Sequence, residues 1–384
     1  MSFMHYRYGL HRWTRGGFAV VAIPLVLSCL PWPGRAQQGE VVADDSVRAP
    51  GNTFVPLPVL FYMPETGVGF GGMATYYFRT SGGGRDERPS SLTPLLVYTE
   101  KKQVIALFQG EIYLSQERYR LNFEAGYSLF PTKFWGVGND TPDAAEEEYT
   151  PRTVNLAAKS QRQIASGWYL GGTVRVGYRA LVEVEDGGLL DSGTVPGAVD
   201  SWVVGLGLLV TRDTRDNPVY PRSGSFHQLG GSWYSGHFGS SYDYGSFYLD
   251  VRKYFSAFST HVVAIRGLAM ASVSEQPFDL MPQLGGDVLL RGYFAGRYRD
   301  RQLLALQGEY RTPVWWRVGL VGFAGIGQVA DNWGALELGH FHPSAGVGAR
   351  FQLSRTEGLN IRADYGWGFD AATTGFYLSV GEAF

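Results

Sequence analysis

The sequence is poor in two kinds of residue on which secreted domains and soluble enzymes depend. It has one cysteine, Cys29, among 384 residues, so it has no disulfide framework. Charged residues make up 18% of the chain, whereas soluble domains carry about 25%. The net charge of −2 leaves no basic footprint for nucleic acid. These shortages argue against a disulfide-rich secreted domain, an ordinary soluble enzyme and a nucleic-acid-binding protein.

Long hydrophobic runs are also missing. Residues 1–36 have a basic start, an apolar stretch from Gly17 to Leu30 and small residues before position 37, which predicts a secretory signal peptide cleaved after Ala36. The stretch is shorter than the ~20 residues of a spanning helix, and Val26 to Cys29 leaves a lipoprotein signal as an alternative. Beyond Ala36 no apolar run approaches the ~18 residues of a membrane helix. We therefore expect an exported chain without spanning helices.

Glycine, aromatic residues and alternation are abundant instead. Glycine accounts for 52 of 384 residues, and the 45% hydrophobic content excludes intrinsic disorder. Segments such as 344–353 and 358–368 place apolar side chains on one face and Gly, Arg, Gln, Asn or Asp on the other. These strands are about 10 to 14 residues long, longer than those of soluble sheets. Because a β protein crosses lipid only as a closed barrel, the pattern favours an all-β transmembrane antiparallel β-barrel of the bacterial outer membrane over a secreted soluble β protein. Aromatic residues near the strand ends suit the girdles of such a barrel: Trp202, Trp233, Tyr234, Trp315, Trp316, Trp333 and Trp367.

The lengths of the connections predict about 16 strands. Fifteen alternating segments lie between residues 67 and 384, among them strands predicted at 200–213 and 260–273. The long connections share one side only if one more strand precedes them. Thr53 to Tyr62 is the candidate, and its Pro56 and Pro58 suit a weakly paired strand at a closing seam. The predicted long connections are 131–149, 182–199, 274–300 and 329–341. The predicted domains are a signal peptide at 1–36, a short periplasmic tether at 37–52 and the barrel at 53–384.

Several stretches of the second half carry a resemblance to a known family. They are 213–224, 285–293, 307–311 and 348–351 with Phe384, supported by 134–140. Through them the chain resembles the BamA/TamA superfamily of outer-membrane assembly and transport barrels, the bacterial surface antigen family. The most specific part is the motif of Leu290, Arg291, Gly292 and Tyr293. The resemblance implies a non-enzymatic barrel in outer-membrane biogenesis or in transport of protein or lipid. Few residues separate the signal from the first strand, so we expect a member without periplasmic POTRA modules.

The resemblance also implies a role for each residue of the long loop. In the family this loop folds back into the lumen, and its arginine, here Arg291, pairs with acidic side chains of the inner wall. A guanidinium in a narrow lumen must be paired, and its planar fork suits a carboxylate. By alternation Glu309 faces inward and is the best partner. We expect the network to be extended by Arg350, Arg362 and Asp364.

One position departs from the family pattern. The family's second acid is missing, since Gly325 stands at its place. Glu309 is then the one acidic partner of Arg291, or Asp331 or Asp364 replaces the missing acid. Many inward positions are glycines, where we expect the loop backbone to approach the wall closely. They are Gly325, Gly327, Gly346, Gly348, Gly366 and Gly368.

The last strand, predicted at 375–384, resembles the aromatic-ended signal by which such barrels are recognised for insertion. It places Phe376, Leu378 and Val380 on one face and ends in Phe384. Glu382 stands where a hydrophobic residue is commoner.

No pattern in the sequence predicts catalysis, a metal or a cofactor. Ser235 and His237 lack the Gly-x-Ser-x-Gly turn of a hydrolase, and His340 and His342 have no further ligand close in sequence. The expected partners are outer-membrane lipids and lipopolysaccharide, with a periplasmic partner or a nascent outer-membrane protein as a further candidate. The alternative functions are a passive pore or structural surface antigen and, with less support, an outer-membrane lipase.

Overall fold

The computed structural model describes residues 52–63, 67–80, 90–217, 220–258, 260–352, 360–370 and 373–384. The predicted signal peptide and all but the last residue of the predicted tether lie outside the described residues. Within these ranges, no helix has the length and apolar character needed to cross a membrane.

The described chain is a meander of antiparallel strands, in which each long strand pairs with the next long strand along the sequence. The strands are β1 Thr53–Met63, β2 Gly67–Phe78, β3 Ser90–Thr99, β4 Val104–Leu114, β5 Tyr119–Leu129, β6 Thr132–Phe134, β7 Glu147–Ala165, β8 Trp168–Val184, β9 Ser201–Asp213, β10 Gly224–Tyr234, β11 Tyr244–Ala257, β12 His261–Ser274, β13 Gln283–Leu284, β14 Tyr298–Arg299, β15 Gln302–Arg311, β16 Val318–Ala330, β17 His342–Gln352, β18 Asn360–Gly368 and β19 Thr373–Val380. Apart from the short β6, β13 and β14, sixteen long strands are present in the described ranges, which confirms the predicted number.

Alternation along β15 shows how these strands face two environments. Leu304 and Leu306 point outward and are exposed, whereas Gln307, Glu309 and Arg311 on the other face are buried. An apolar outer face and a polar inner face are what a strand between lipid and a lumen requires. The same pattern recurs around the meander and confirms the predicted all-β barrel.

The two ends of the meander are β1 and β19. The described ladders join β1 to β2 and β19 to β18 but do not join β1 to β19. Pro56 and Pro58 lie in β1 opposite Ala74 and Gly72 of β2. Since proline has no backbone N–H, β1 offers fewer hydrogen-bond donors than an ordinary edge strand.

The long loops lie together at one end of the barrel, the predicted extracellular end. The Gly138 N–H donates to the Arg299 carbonyl at 2.8 Å, and the Asn139 amide donates to the His340 carbonyl at 2.9 Å. These bonds join three of the long loops, which are far apart in sequence. The four long loops are 135–146, 185–200, 275–301 and 331–341.

The last strand is shorter than the alternation predicts. It ends at Val380 because Gly381 has a φ of +83°, in the left-handed region that favours glycine. The Gly381 N–H still donates to the Asn360 carbonyl at 2.7 Å, and the chain then turns into the lumen. The prediction of a strand that continues to Phe384 is therefore wrong.

Candidate functional site

The connection between β12 and β15, residues 275–301, folds back into the barrel, and we call it the luminal loop. The short hairpin of β13 and β14 closes it on itself. Leu284 and Leu290 of the loop pack against Leu303 of β15 and Val329 of β16, and all four side chains are buried. Full burial of a leucine side chain stabilises by about 1.5–3 kcal/mol. Apolar packing therefore holds the loop against the wall before any charge is considered.

Two glycines let the loop backbone meet the wall. Gly292 has a φ of +120°, and a Cβ there would lie 2.6 Å from the backbone nitrogen of Gly368. A Cβ on Gly366 of β18 would lie 2.5 Å from the Arg291 carbonyl oxygen. Any larger residue at these places would push the loop away from β18.

Arg291 lies at the tip of the luminal loop and is 2% exposed. Its Nη1 donates to the Asp364 carboxylate of β18 at 2.5 Å, and its Nη2 donates to Glu309 of β15. Its guanidinium carbon lies 3.6 Å from the ring centre of Phe323 on β16. The planar fork thus binds two carboxylates on different strands, a geometry that a lysine does not offer.

Two wall arginines share these carboxylates. Arg350 of β17 donates from Nη1 to Asp364 at 2.5 Å and from Nε to Glu382 at 2.7 Å. Arg311 of β15 donates from Nε to Glu309 at 2.9 Å. The loop arginine therefore joins a network that already exists in the wall.

A fourth arginine links the network to the loop a second time. Arg362 of β18 donates from Nη2 to the Asp287 carboxylate of the luminal loop at 2.7 Å, and from Nη1 to the Asp287 carbonyl at 2.9 Å. We call the whole set the arginine cluster. Its charges balance, since four arginines meet four acids: Arg291, Arg311, Arg350 and Arg362 with Asp287, Glu309, Asp364 and Glu382.

This chain lacks the second acid of the family pattern, because Gly325 stands at its position. A counterpart lies on another strand. Gly325 lies beside Gln307, and a Cβ there would be 3.0 Å from that side chain, so the position has little room for an acid. The carboxylate that meets the loop comes from Asp364 on β18 instead. Asp331 lies apart from the cluster, paired with Arg301 at 3.2 Å in an exposed position.

The inward glycines serve two purposes rather than the one expected. Three of them lie against the luminal loop: Gly327, Gly366 and Gly368. Three lie against side chains or backbone of the wall itself: Gly325, Gly346 and Gly348. Glycine in this wall therefore makes room both for the loop and for large neighbours on adjacent strands.

Tyr377 of β19 is part of the site and was not anticipated from the motif. Its hydroxyl accepts from the Gly292 N–H at 2.9 Å and donates to the Tyr293 carbonyl at 3.1 Å. The Tyr293 hydroxyl donates in turn to the Pro343 carbonyl at 2.8 Å, and burial raises the pKa of Tyr293 well above its usual range. Alternation was a usable signal, because Tyr377 stands next to the outward Phe376 and so faces the lumen.

The residues of the predicted terminal signal do not form one outward series. Phe376 is 57% exposed on the outer face, and the side chains of Leu378 and Val380 lie outside what the structure describes. Phe384 is 2% exposed and packs in the lumen against Tyr254 of β11. Phe384 therefore does not share the outer face with Phe376, because the chain turns inward after β19.

His342, the first residue of β17, contacts the joined long loops. Its Nδ1 lies 2.6 Å from the Asp370 carboxylate, its Nε2 lies 3.1 Å from the Asn139 carbonyl, and its ring stacks on Tyr298 at 3.7 Å. Both ring nitrogens are thus engaged by protein groups, while His340 is mostly exposed. In the part of the chain that the structure describes, no three side chains are grouped to hold a metal ion.

Ser235 and His237 do not form a hydrolase site. The Ser235 hydroxyl donates to the Asp243 carboxylate at 2.6 Å, with the His237 Nδ1 at 3.1 Å. The carboxylate thus accepts a hydrogen bond from the serine hydroxyl, whereas in a catalytic triad the carboxylate binds and orients the histidine. The bonds from Ser235 and from the Gly236 N–H lower the pKa of Asp243, as expected for a turn.

Comparison with known proteins identifies relatives of this barrel. The sequence profile of the Omp85 superfamily domain matches residues 97–384. BamA from Haemophilus ducreyi lacking POTRA domains 1–3 superposes with a TM-score of 0.57 at 13% identity, over 85% of this chain and 68% of that one. CdiB from Acinetobacter baumannii superposes with a TM-score of 0.54 at 11% identity, over 86% of this chain and 59% of that one. No curated protein sequence matches the chain significantly. At such identities the two structures establish a shared fold.

Proposed function

Since the chain belongs to the Omp85 superfamily and is a β-barrel of the outer membrane, we propose that it assembles or translocates protein or lipid at that membrane. The observation that supports this function most is the luminal loop held inside the barrel by Arg291. A passive pore needs an open lumen, whereas a translocation barrel needs one that is closed at rest and opens on demand. The luminal loop, held by the arginine cluster, would close the lumen at rest.

Opening would require the loop to leave the arginine cluster. Glu309 and Asp364 are buried, so removal of Arg291 would leave each with one partner fewer in a poorly solvated place. Each of the two charge-assisted hydrogen bonds lost in this way contributes about 1.5–3 kcal/mol. The loop is therefore stable at rest. Its release would depend on a substrate or partner whose binding supplies the free energy of the lost contacts.

A second route leads through the side of the barrel. The free edges of β1 and β19 would accept an incoming strand by β-augmentation, and the prolines of β1 weaken the pairing that competes with it. Phe54→Cys combined in turn with Leu378→Cys and Val380→Cys places thiols near the periplasmic ends of both strands. A disulfide in a folded barrel would support a closed seam, and its absence from both pairs would argue against one.

The partners follow from this function. Outer-membrane lipids and lipopolysaccharide would contact the apolar outer face, and the substrate or partner at the lumen would be a nascent outer-membrane protein or a periplasmic protein. Depletion in the native host separates the substrate classes, because loss of outer-membrane proteins indicates protein assembly and loss of lipid asymmetry indicates lipid transport.

Planar-bilayer conductance tests the proposal against a passive pore. We expect small, flickering conductance from the intact chain and a marked rise when residues 275–300 are deleted. A large, steady conductance from the intact chain would contradict the proposal and favour a pore. Calcium-dependent release of fatty acid from phospholipid would instead favour the lipase.

A further inference from the structure

The segment that follows β19, residues 381–384, lies inside the periplasmic end of the lumen. Phe384 and Ala383 are almost fully buried and pack against Tyr254 of β11 and Ala264 of β12. These wall residues come from strands on a different part of the barrel from β19. The segment therefore reaches across the lumen and fills an apolar recess there.

Each chemical feature of the segment meets a matching group of the wall. The Glu382 carboxylate accepts from Arg350 Nε at 2.7 Å and from the Asn360 amide at 2.8 Å. The Phe384 carbonyl accepts from Arg311 Nη2 at 2.8 Å. An acid, a backbone carbonyl and an aromatic ring are thus held by separate groups, as in a peptide-binding site. We call this place the tail pocket; its wall is formed by Tyr254, Ala264, Arg311, Arg350 and Asn360.

The tail pocket offers more hydrogen bonds than the segment uses. Arg311 Nη1, Arg350 Nη2 and Asn360 Oδ1 are buried and make no hydrogen bond with any described part of the chain. Leaving buried hydrogen-bond donors and acceptors unpaired is unfavourable. A peptide that brings further backbone carbonyls and N–H groups would therefore satisfy the pocket better than residues 381–384 do.

We propose that the tail pocket is a binding site for a short acidic–aromatic peptide segment, which residues 382–384 occupy in cis and which a similar segment of a second polypeptide occupies in exchange. The inference goes beyond the proposed function, because it assigns a ligand class to a pocket that shares Arg311 and Arg350 with the arginine cluster, and peptide binding there does not require the barrel to transport anything. Its experiment measures peptide binding, whereas the proposed function is tested by conductance. A negative result for the tail pocket therefore does not contradict the proposed function, and the reverse also holds.

The first test uses the purified full chain in detergent and the fluorescently labelled peptide Gly-Glu-Ala-Phe. Phe384→Ala empties the aromatic recess, and we expect this variant to bind the peptide at least about tenfold more tightly than the unmodified chain by fluorescence anisotropy. Phe376→Ala, which removes an outward aromatic of the same strand, is the matched control and should bind like the unmodified chain. The peptide Gly-Gln-Ala-Phe should bind the Phe384→Ala variant much more weakly than Gly-Glu-Ala-Phe does, since it lacks the acid that pairs with Arg350. Equal binding by Phe384→Ala and Phe376→Ala, or equal binding of the two peptides, would overturn the proposal.

A second test keeps Phe384 in place and so does not depend on the folding of that variant. Ala383→Cys in a Cys29→Ser background puts a thiol at a buried position of the segment. We expect slow maleimide labelling that becomes several-fold faster when Gly-Glu-Ala-Phe is added, because the peptide displaces the segment. A labelling rate that the peptide leaves unchanged, or that Gly-Gln-Ala-Phe raises equally, would refute exchange at this site.

Discussion

Replacing Arg291 by alanine should release the luminal loop without unfolding the barrel. The substitution removes two charge-assisted hydrogen bonds, to Glu309 and to Asp364, each of which contributes about 1.5–3 kcal/mol. Neither carboxylate is left bare, because Arg311 remains 2.9 Å from Glu309 and Arg350 remains 2.5 Å from Asp364. We therefore expect the closed position of the loop to lose about 3–4 kcal/mol of stability, which is the lower end of the sum for the two hydrogen bonds. Since 1.4 kcal/mol is a factor of ten, the open fraction should rise by roughly two to three orders of magnitude.

Single-channel recording in planar bilayers measures this fraction as the open probability. The matched control is Arg301→Ala, which removes an exposed arginine at the end of the same loop whose pair with Asp331 is of the kind that contributes little. Arg291→Ala should raise the open probability and leave the conductance of the open state unchanged. An open probability no more than about twice that of Arg301→Ala would show that the guanidinium does not hold the loop, and would refute the reasoning.

Three further substitutions test other supports of the loop. Gly292→Ala should destabilise the folded barrel in urea by about 1–3 kcal/mol, since it forces a Cβ into β18 at a positive φ, whereas Gly322→Ala, where a Cβ meets nothing, should cost little. Tyr377→Phe should cost about 1–2 kcal/mol in the same assay, because two loop hydrogen bonds are lost; an unchanged urea midpoint would contradict this. Burial raises the pKa of Asp300, so its ionised form is disfavoured in the folded state, and stability should fall as the pH rises from the unfolded value of about 3.9 through the folded pKa. Asp300→Asn should flatten that pH dependence, and an equally steep profile in this variant would assign it to other groups.

The fold was predictable because a strand between lipid and lumen leaves a period of two in the sequence. β9, predicted at 200–213, spans Ser201–Asp213, and β12, predicted at 260–273, spans His261–Ser274. The end of β19 was not predictable in this way, because Gly381 preserves the alternation while its backbone leaves the sheet. One positive φ is a local conformational choice that hydrophobic periodicity does not record.

The partners of Arg291 were harder to predict than its burial. Alternation places Glu309 and Asp364 on the inner wall but does not say how strands three apart face each other across the lumen. That relation depends on the stagger and curvature of the whole barrel, which no short segment encodes. The same reason explains why Asp287 and Glu382 were not recognised as members of the arginine cluster.

Because the second acidic partner of Arg291 is Asp364 and not a residue at the Gly325 position, the luminal loop is bound to a different part of the wall. The family pattern implies two acids on neighbouring strands, which would tie the loop to one side of the lumen. Asp364 instead lies on β18, directly opposite Tyr377 of β19 in the ladder. Tyr377 binds the loop backbone itself, so the loop is tied to the last strand of the meander as well as to β15. In the lateral route proposed above, β19 is one edge of the seam, so release of Arg291 would loosen a strand that this route must move. Under the proposed function, opening of the lumen and opening of the seam would therefore be coupled through β19.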